Sequence, residues 1–282
     1  MRFRHGASSA LALLAAAPAW AQDETAPPPP VSVTASATLL SDDRVRGVSQ
    51  SNGRPAVAGA LTVAHQSGVY AGVRGASRAG WGDFAGAGVE LDLIAGYRFQ
   101  PLSAATLDLG VTYRSYPGGS DGTDYFEPFA KLSGTYGPLT LLAGVAYAPS
   151  QRALGRWFVD GASAARGVPD RPNDAEDNLY LWGDASAGVP ATPLTLRAHV
   201  GRSSGNAGLN RYGWSLAPTG TYWDWSLGAE ASFRTVTLGL AYVDTDISRR
   251  ESAYLQPFFS RGRDGTGSIA GGTLVASLTA SF

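Results

Sequence analysis

Short segments in which apolar and polar residues alternate recur along the chain. In residues 31–40 the odd positions hold Val, Ala and Leu, while the even positions up to residue 38 hold Ser and Thr. In residues 107–114 Leu, Val and Tyr alternate with Asp, Gly, Thr and Arg. A period of two is that of a β-strand with one apolar and one polar face. The pattern predicts about twelve strands, at residues 31–40, 55–66, 68–79, 84–99, 104–116, 123–136, 138–148, 177–189, 193–204, 221–233, 235–246 and 270–282.

The connections between these strands alternate between short and long. The short ones lie at residues 66–68, 100–103, 137–138, 190–193 and 234–235, and the mostly longer, polar ones at 41–54, 80–83, 117–122, 149–176, 205–220 and 247–269. With an even number of strands, this order puts all short turns and both chain ends on one side of the sheet. Bacterial outer-membrane barrels have that arrangement, with the termini in the periplasm. A soluble β-sandwich has no reason to sort its loops in this way.

Amphipathic strands in this number predict an all-β fold, a closed antiparallel transmembrane β-barrel. In hydrocarbon every backbone N–H and C=O must pair within the protein, so a spanning sheet can have no free edge. Strands about 4.8 Å apart and tilted about 40° give a backbone radius of roughly 12 Å. Such a barrel holds a narrow wet channel unless a loop folds inward. Aromatic residues near strand ends are expected to face the lipid interface, namely Tyr97, Phe99, Tyr136, Trp223, Phe233, Tyr242 and Phe282.

The N-terminal region has the features of a secretion signal. Arg2 and Arg4 precede an apolar run, and Ala19-Trp20-Ala21 fits a cleavage site. Residues 22–30 end in four prolines, which form a stiff leader that cannot join a strand ladder. We therefore expect a signal peptide at 1–21, a proline-rich leader at 22–30 and the barrel at 31–282.

The composition narrows the classes of function and partner. The chain has no Cys, which excludes thiolate metal sites. Its formal charge of -1 is too balanced to indicate a nucleic-acid partner. The last strand ends on Phe282, and a terminal aromatic residue on an amphipathic strand resembles the signal that the outer-membrane barrel assembly machinery reads. The predicted partners are this machinery and outer-membrane lipid, and the choice between a monomer and a trimer is left open.

A series of short motifs extends over the mature chain. They are Ser41-Asp42, Arg46-Gly47-Val48-Ser49-Gln50, Pro55-Ala56, Ser67-Gly68-Val69-Tyr70-Ala71-Gly72, Glu90-Leu91-Asp92, Asp108-Leu109-Gly110, Asp224-Trp225-Ser226-Leu227-Gly228 and Ser281-Phe282. The sequence resembles the TorF family of porins, proteobacterial outer-membrane proteins long described as conserved hypothetical. The resemblance implies an outer-membrane barrel and a pore, and it supplies no substrate and no catalytic residue. Asp43 stands where the family is expected to have Tyr, and Ala58 where Gln is usual. We therefore expect the first loop of this chain to differ from that of the family.

Charged residues on the polar strand faces form the main candidate site. We predict that they line the lumen, together with Arg46 from the first loop, and the full set is Arg46, Arg74, Glu90, Asp92, Arg98, Asp108, Arg114, Glu127, Lys131, Asp184, Arg197, Asp224 and Glu230. In one interpretation they select solutes by charge. In the other they pair with one another and close the lumen, because buried charges must be paired. Arg46 could narrow the mouth of the barrel or anchor the loop through a salt bridge.

Catalysis and cofactor binding have little support in the sequence. The mature chain holds only His65 and His199, on different predicted strands, so no Ser–His pair is indicated. Asp244, Asp246 and Ser248 lack the turn glycine of a calcium loop. The hypothesis is a channel for passive diffusion of small polar solutes or ions, without a cofactor. The alternatives are a closed structural or adhesive barrel that acts through its loops and, third, a barrel enzyme that acts on lipid.

Overall fold

The computed structural model describes residues 29–81, 87–118, 122–155, 168, 170–205, 220–252 and 268–282. These residues form a closed antiparallel barrel of twelve strands and a separate two-stranded hairpin. In chain order the strands are β1 (Val31–Leu40), β2 (Arg44–Val45), β3 (Val48–Ser49), β4 (Ala56–His65), β5 (Val69–Trp81), β6 (Ala87–Leu102), β7 (Ala105–Ser115), β8 (Tyr125–Tyr136), β9 (Leu139–Gln151), β10 (Glu176–Gly188), β11 (Leu194–Gly205), β12 (Tyr222–Phe233), β13 (Val236–Thr245) and β14 (Thr273–Ser281). A 3-10 turn at Arg152–Leu154 and a short helix at Arg249–Ser252 lie in the connections.

Backbone hydrogen bonds between the first and last strands close the barrel. β1 pairs with β14 on one side and with β4 on the other. Ala35 and Phe282 exchange two N–H···O bonds of 3.0 and 2.9 Å. The start of β1 and the end of β14 therefore lie at one end of the barrel, together with the short turns. We call this the turn end and the opposite end the loop end.

The twelve predicted strands are confirmed, and their bounds differ from the prediction by three residues or fewer. The predicted signal peptide and most of the predicted leader lie outside the described residues. The helices in the described part of the chain are too short to cross a bilayer.

The outer face of the barrel is apolar, as the alternation predicted. Leu227 and Leu274 are 67% and 63% exposed on this face, while Thr38 on the inner face is buried. The seven aromatic residues predicted to face outward have exposures between 37% and 88%. In water such a surface would be costly, but in a bilayer it contacts lipid tails.

The segment at residues 41–55, here called loop 1, folds into the barrel. The sequence pattern predicted an ordinary polar loop there, and it did not predict the β2–β3 hairpin. Arg46 donates to Asn178 of β10 at 2.8 Å, and the Tyr222 hydroxyl of β12 donates to the Arg46 carbonyl at 3.1 Å. Ser49 N–H donates to the Ile269 carbonyl before β14 at 2.7 Å. Loop 1 connects β1 and β4, and β10 lies across the barrel from these two strands in the strand order. Loop 1 therefore crosses the lumen.

Candidate functional site

A continuous row of alternating charges lies inside the barrel. Arg78 of β5 pairs with Glu90 of β6 at 2.6 Å, and Arg74 lies 3.4 Å from Glu90 and 3.6 Å from Asp92. Arg114 of β7 continues the row, 3.7 Å from Asp92. We call the full set the charge ladder, and its members are Asp43, Arg46, Arg74, Arg78, Glu90, Asp92, Arg114 and Glu127. Each of these side chains is at most 10% exposed.

Loop 1 contributes both ends of the charge ladder. Asp43 pairs with Arg78 and lies 3.5 Å from Arg74. Arg46 pairs with Glu127 of β8, which also lies 3.7 Å from Arg114. The ladder thus holds four arginines and four carboxylates, so its charges balance. A balanced, buried set of this kind holds the loop in place, because removing one partner would leave a buried charge uncompensated.

The hairpin in loop 1 is closed by its own polar contacts. Arg44 donates from Nε to Asp42 at 2.7 Å and from Nη1 to the carbonyls of Gly47 and Gly271, both at 2.9 Å. The Ser51 hydroxyl donates to Asp42 at 2.9 Å. These contacts hold the hairpin together.

Arg46, at the tip of the same hairpin, keeps its charge although it is buried. Burial alone would lower the pKa of Arg46, but Glu127, together with Tyr125 and Tyr180, raises that pKa above its ordinary value. Arg46 therefore stays charged in the lumen.

A second polar cluster lies nearer the turn end. Asp108 of β7 accepts from the Tyr70 hydroxyl at 2.7 Å and from Arg98 Nε at 3.0 Å. Lys131 of β8 lies 3.8 Å from the same carboxylate. The Arg98 guanidinium also lies 4.0 Å from the centre of the Tyr70 ring, and Lys131 Nζ lies 4.0 Å from the Phe129 ring. Both cations are thus held by a carboxylate and an aromatic face.

A third cluster occupies β10, β11 and β12. His199 contacts Asp184 through Nδ1 at 2.6 Å and Asp224 through Nε2 at 3.0 Å. The Tyr180 hydroxyl lies 3.0 Å from His199 Nε2 and 3.0 Å from Asp224. Both ring nitrogens of His199 are therefore engaged. Next to it Arg197 pairs with Glu230 at 2.7 Å.

An apolar core fills the loop end of the lumen. Val48 at the hairpin packs with residues from several connections. The other members are Tyr116, Tyr125, Ala148, Ala153, Leu154, Tyr222, Ile247, Ile269 and Ala270, all nearly inaccessible to solvent. Loop 1 is thus fixed by the charge ladder on one side and by apolar packing on the other. In this conformation loop 1 occupies the lumen between the two.

All thirteen residues of the predicted lumen set face inward, in agreement with the alternation. Twelve of them come from strands, and the structure distributes them over the charge ladder, the Asp108 cluster, the His199 cluster and the Arg197–Glu230 pair. Arg46, the member from loop 1, forms the anchoring salt bridge that was one of the two interpretations.

The predicted lumen set leaves out Arg78 and Asp43 of the charge ladder, and also His199. Arg78 shares the even positions of Arg74 on β5, so the alternation could have identified it. The alternation did place His199 on the polar face beside Arg197, but it was weighed only as a catalytic base. Asp43 could not be identified from the strand pattern, because its place depends on how loop 1 folds. The described residues contain no group of three or more acidic or histidine side chains arranged to hold a metal ion.

Comparisons with solved structures show the fold. The chain is similar to the NanC porin, with 13% identity and a TM-score of 0.53 over 89% of this chain and 99% of that one. It is also similar to the KdgM porin, solved in complex with disordered oligogalacturonate, with 7% identity and a TM-score of 0.51 over 89% and 99% of the two chains. Both results show a closed porin-type barrel.

Sequence comparison shows the family without showing the activity. No curated protein sequence matches this chain. The TorF name suggested by the motifs stays a prediction. The sequence pattern of one bacterial family, however, matches nearly the whole chain. The protein belongs to the family described as "Bacterial protein of unknown function (Gcw_chp)", which matches residues 24–282.

Proposed function

We propose that the protein is an outer-membrane channel through which small polar solutes or ions diffuse passively. In this proposal the turn end, where β1 begins and β14 ends, faces the periplasm. The apolar outer face suits a bilayer, and an enclosed polar lumen is what passage of hydrophilic solutes needs. Loop 1 is the constriction of this channel.

The observation that carries the proposal is the change in exposure along the lumen. Side chains of the charge ladder are at most 10% exposed, whereas that of Asp184 is 30% exposed. Inward side chains such as Thr34, Ser36 and Thr62 are also partly exposed. The lumen is therefore accessible to water on the turn side of loop 1, and loop 1 separates this space from the loop end.

The resemblance to two proteins named as porins supports the same proposal. NanC and KdgM have barrels that align with 89% of this chain. The oligogalacturonate in the KdgM structure belongs to that protein, and at 7% identity it does not identify a solute for this chain.

A second candidate function is a closed barrel that acts through its external loops. The apolar core around Val48 and Leu154 favours it, because a water-filled path would not be expected to run through packed apolar side chains. In that case the charge ladder would serve stability alone. The two functions differ in whether loop 1 can leave its position.

Single-channel recording separates the two candidates. We expect purified protein in a planar bilayer to show discrete conductance steps at high salt. Asp43→Asn combined with Arg46→Gln removes one charge of each sign from the ladder, so the remainder stays balanced, and openings should become larger or longer. Arg54→Gln, at an exposed position of the same loop, is the control and should behave as wild type. Silence of both wild type and double variant would reject the channel and leave the closed barrel.

We also propose that the barrel has no catalytic role and that the assembly machinery recognises its last strand. The engaged nitrogens of His199 leave it poorly placed to act as a general base for a serine. Phe282 is 63% exposed on the outer face, where a membrane-embedded receptor could bind it. Release of fatty acid from lipid vesicles by the purified protein would contradict the proposed absence of a catalytic role.

A further inference from the structure

Four adjoining barrel strands form an inner wall without charge. β13, β14, β1 and β4 are neighbours in the sheet. All four are fully described, and their only ionisable residues are His65, Tyr242 and Asp244, all at outward positions of the alternation. Most of their inward side chains are small, and seven of them are partly exposed hydroxyls. We call these seven the hydroxyl wall, and they are Ser32, Thr34, Ser36, Thr62, Thr237, Thr273 and Ser277.

The charges on the remaining strands are directed at one another. The charge ladder is balanced, Asp108 holds Arg98 and Lys131, and Glu230 holds Arg197. His199 is bound between Asp184 and Asp224. Opposite charges a few ångströms apart cancel at a distance, so a solute next to the hydroxyl wall meets only a weak field of either sign.

One aromatic ring on the other side of the lumen is partly exposed to it. Trp182 of β10 is partly exposed and stacks on Tyr180, with ring centres 5.4 Å apart and planes 24° apart. Its indole lies against Gly144 of β9, where a Cβ would come within 2.2 Å of the ring. An apolar ring face suits the C–H surface of a sugar or polyol, while serine and threonine hydroxyls donate to and accept from its O–H groups.

We infer that the channel passes small uncharged hydroxylated solutes, such as sugars and polyols, along the hydroxyl wall, and discriminates only weakly between cations and anions. This inference rests on the proposed channel. Beyond the channel itself, we assign the class of solute and identify the hydroxyl wall as the part of the lumen that selects it.

Swelling of proteoliposomes in solutes of matched size tests the inference. Glucose should enter faster than gluconate and faster than protonated glucosamine. In a KCl gradient across a planar bilayer the reversal potential should lie near zero. Thr62→Arg places a cation on the hydroxyl wall, and it should shift the reversal potential toward anion selectivity and speed gluconate relative to glucosamine. His65→Arg adds a cation on the outward, exposed side of the same strand, and it should leave both readouts unchanged.

The outcomes separate this inference from the channel itself. Faster entry of either charged solute than of glucose would reject the solute class while the channel would stand. Equal effects of Thr62→Arg and His65→Arg would reject the hydroxyl wall as the path. Absence of entry for every solute would reject the channel and the inference together.

Discussion

Arg46 of loop 1 and Glu127 of β8 form an ion pair in which both side chains are almost inaccessible to solvent, at 3% and 2% exposure. The two residues are 81 positions apart in the chain. Glu127 also faces Arg114, so one carboxylate serves two guanidinium groups. The position of loop 1 and the stability of the wall therefore depend on the same carboxylate.

Removing that carboxylate should destabilise the whole barrel. In Glu127→Ala, Arg46 and Arg114 lose their shared partner in a nearly dry environment. We expect a loss of about 3–5 kcal/mol in the free energy of unfolding, the usual cost of breaking a buried pair from one side. Denaturant unfolding of the barrel in lipid vesicles measures it.

Asp177→Ala provides the control for this prediction. Asp177 is exposed, and it accepts a hydrogen bond from the Tyr147 hydroxyl at 2.9 Å. We expect a change within about 0.5 kcal/mol, as for most surface substitutions. If both variants lost equal stability, the charge ladder would contribute no more than a surface contact.

Gly47 allows loop 1 to approach the wall closely. Its φ is +77°, and a Cβ there would lie 2.3 Å from Thr245 Cγ2 and 2.9 Å from Asp224 Cβ. Gly47→Ala should therefore displace the hairpin and make the bonds after Arg44 and Arg46 cleavable by trypsin in the folded protein. Gly118→Ala is the matched control, because Gly118 has a φ of +81° with no atom within 4 Å of a Cβ. Equal resistance to trypsin in the two variants would show that close contact with the wall does not hold loop 1.

The barrel itself could be predicted from the sequence because every strand repeats the same local rule. Leu107, Leu109 and Val111 alternate with Asp108 and Thr112, and this alternation alone fixes which side faces lipid. Loop lengths then fix which end of the barrel carries the termini. Neither inference needs knowledge of distant contacts.

The inward path of loop 1 could not be predicted in the same way. Asp43 lies in a segment without periodicity, and its partners Arg74 and Arg78 follow about 30 residues later on another strand. The apolar core around Val48 draws on connections far apart in sequence. Such contacts depend on the tertiary path of loop 1, which neither spacing nor composition encodes.

An arginine on the lipid-facing side of the barrel should destabilise the fold more strongly the closer it lies to the bilayer midplane. Leu227 lies in the middle of β12 and is 67% exposed. Leu227→Arg should lower the free energy of unfolding in vesicles by about 2–4 kcal/mol, the cost of this side chain at the bilayer midplane. Tyr136→Arg, at the last residue of β8, should cost about 0–1 kcal/mol, as near the interface. A larger loss of stability for Tyr136→Arg than for Leu227→Arg would mean that Leu227 does not lie nearer the bilayer midplane than Tyr136.

Phe282 offers a test of assembly that is separate from stability. Its backbone bonds with Ala35 close the barrel, and a new side chain leaves them in place. Phe282→Ser should therefore refold in detergent micelles at the wild-type rate. If the assembly machinery recognises the last strand, as we propose, the variant should accumulate unfolded in bacterial cells. Folded and unfolded forms separate by gel migration without boiling. Phe233→Ser, at another exposed aromatic position at the turn end, should assemble normally in cells, and a defect equal to that of Phe282→Ser would show that the machinery does not read the terminal residue.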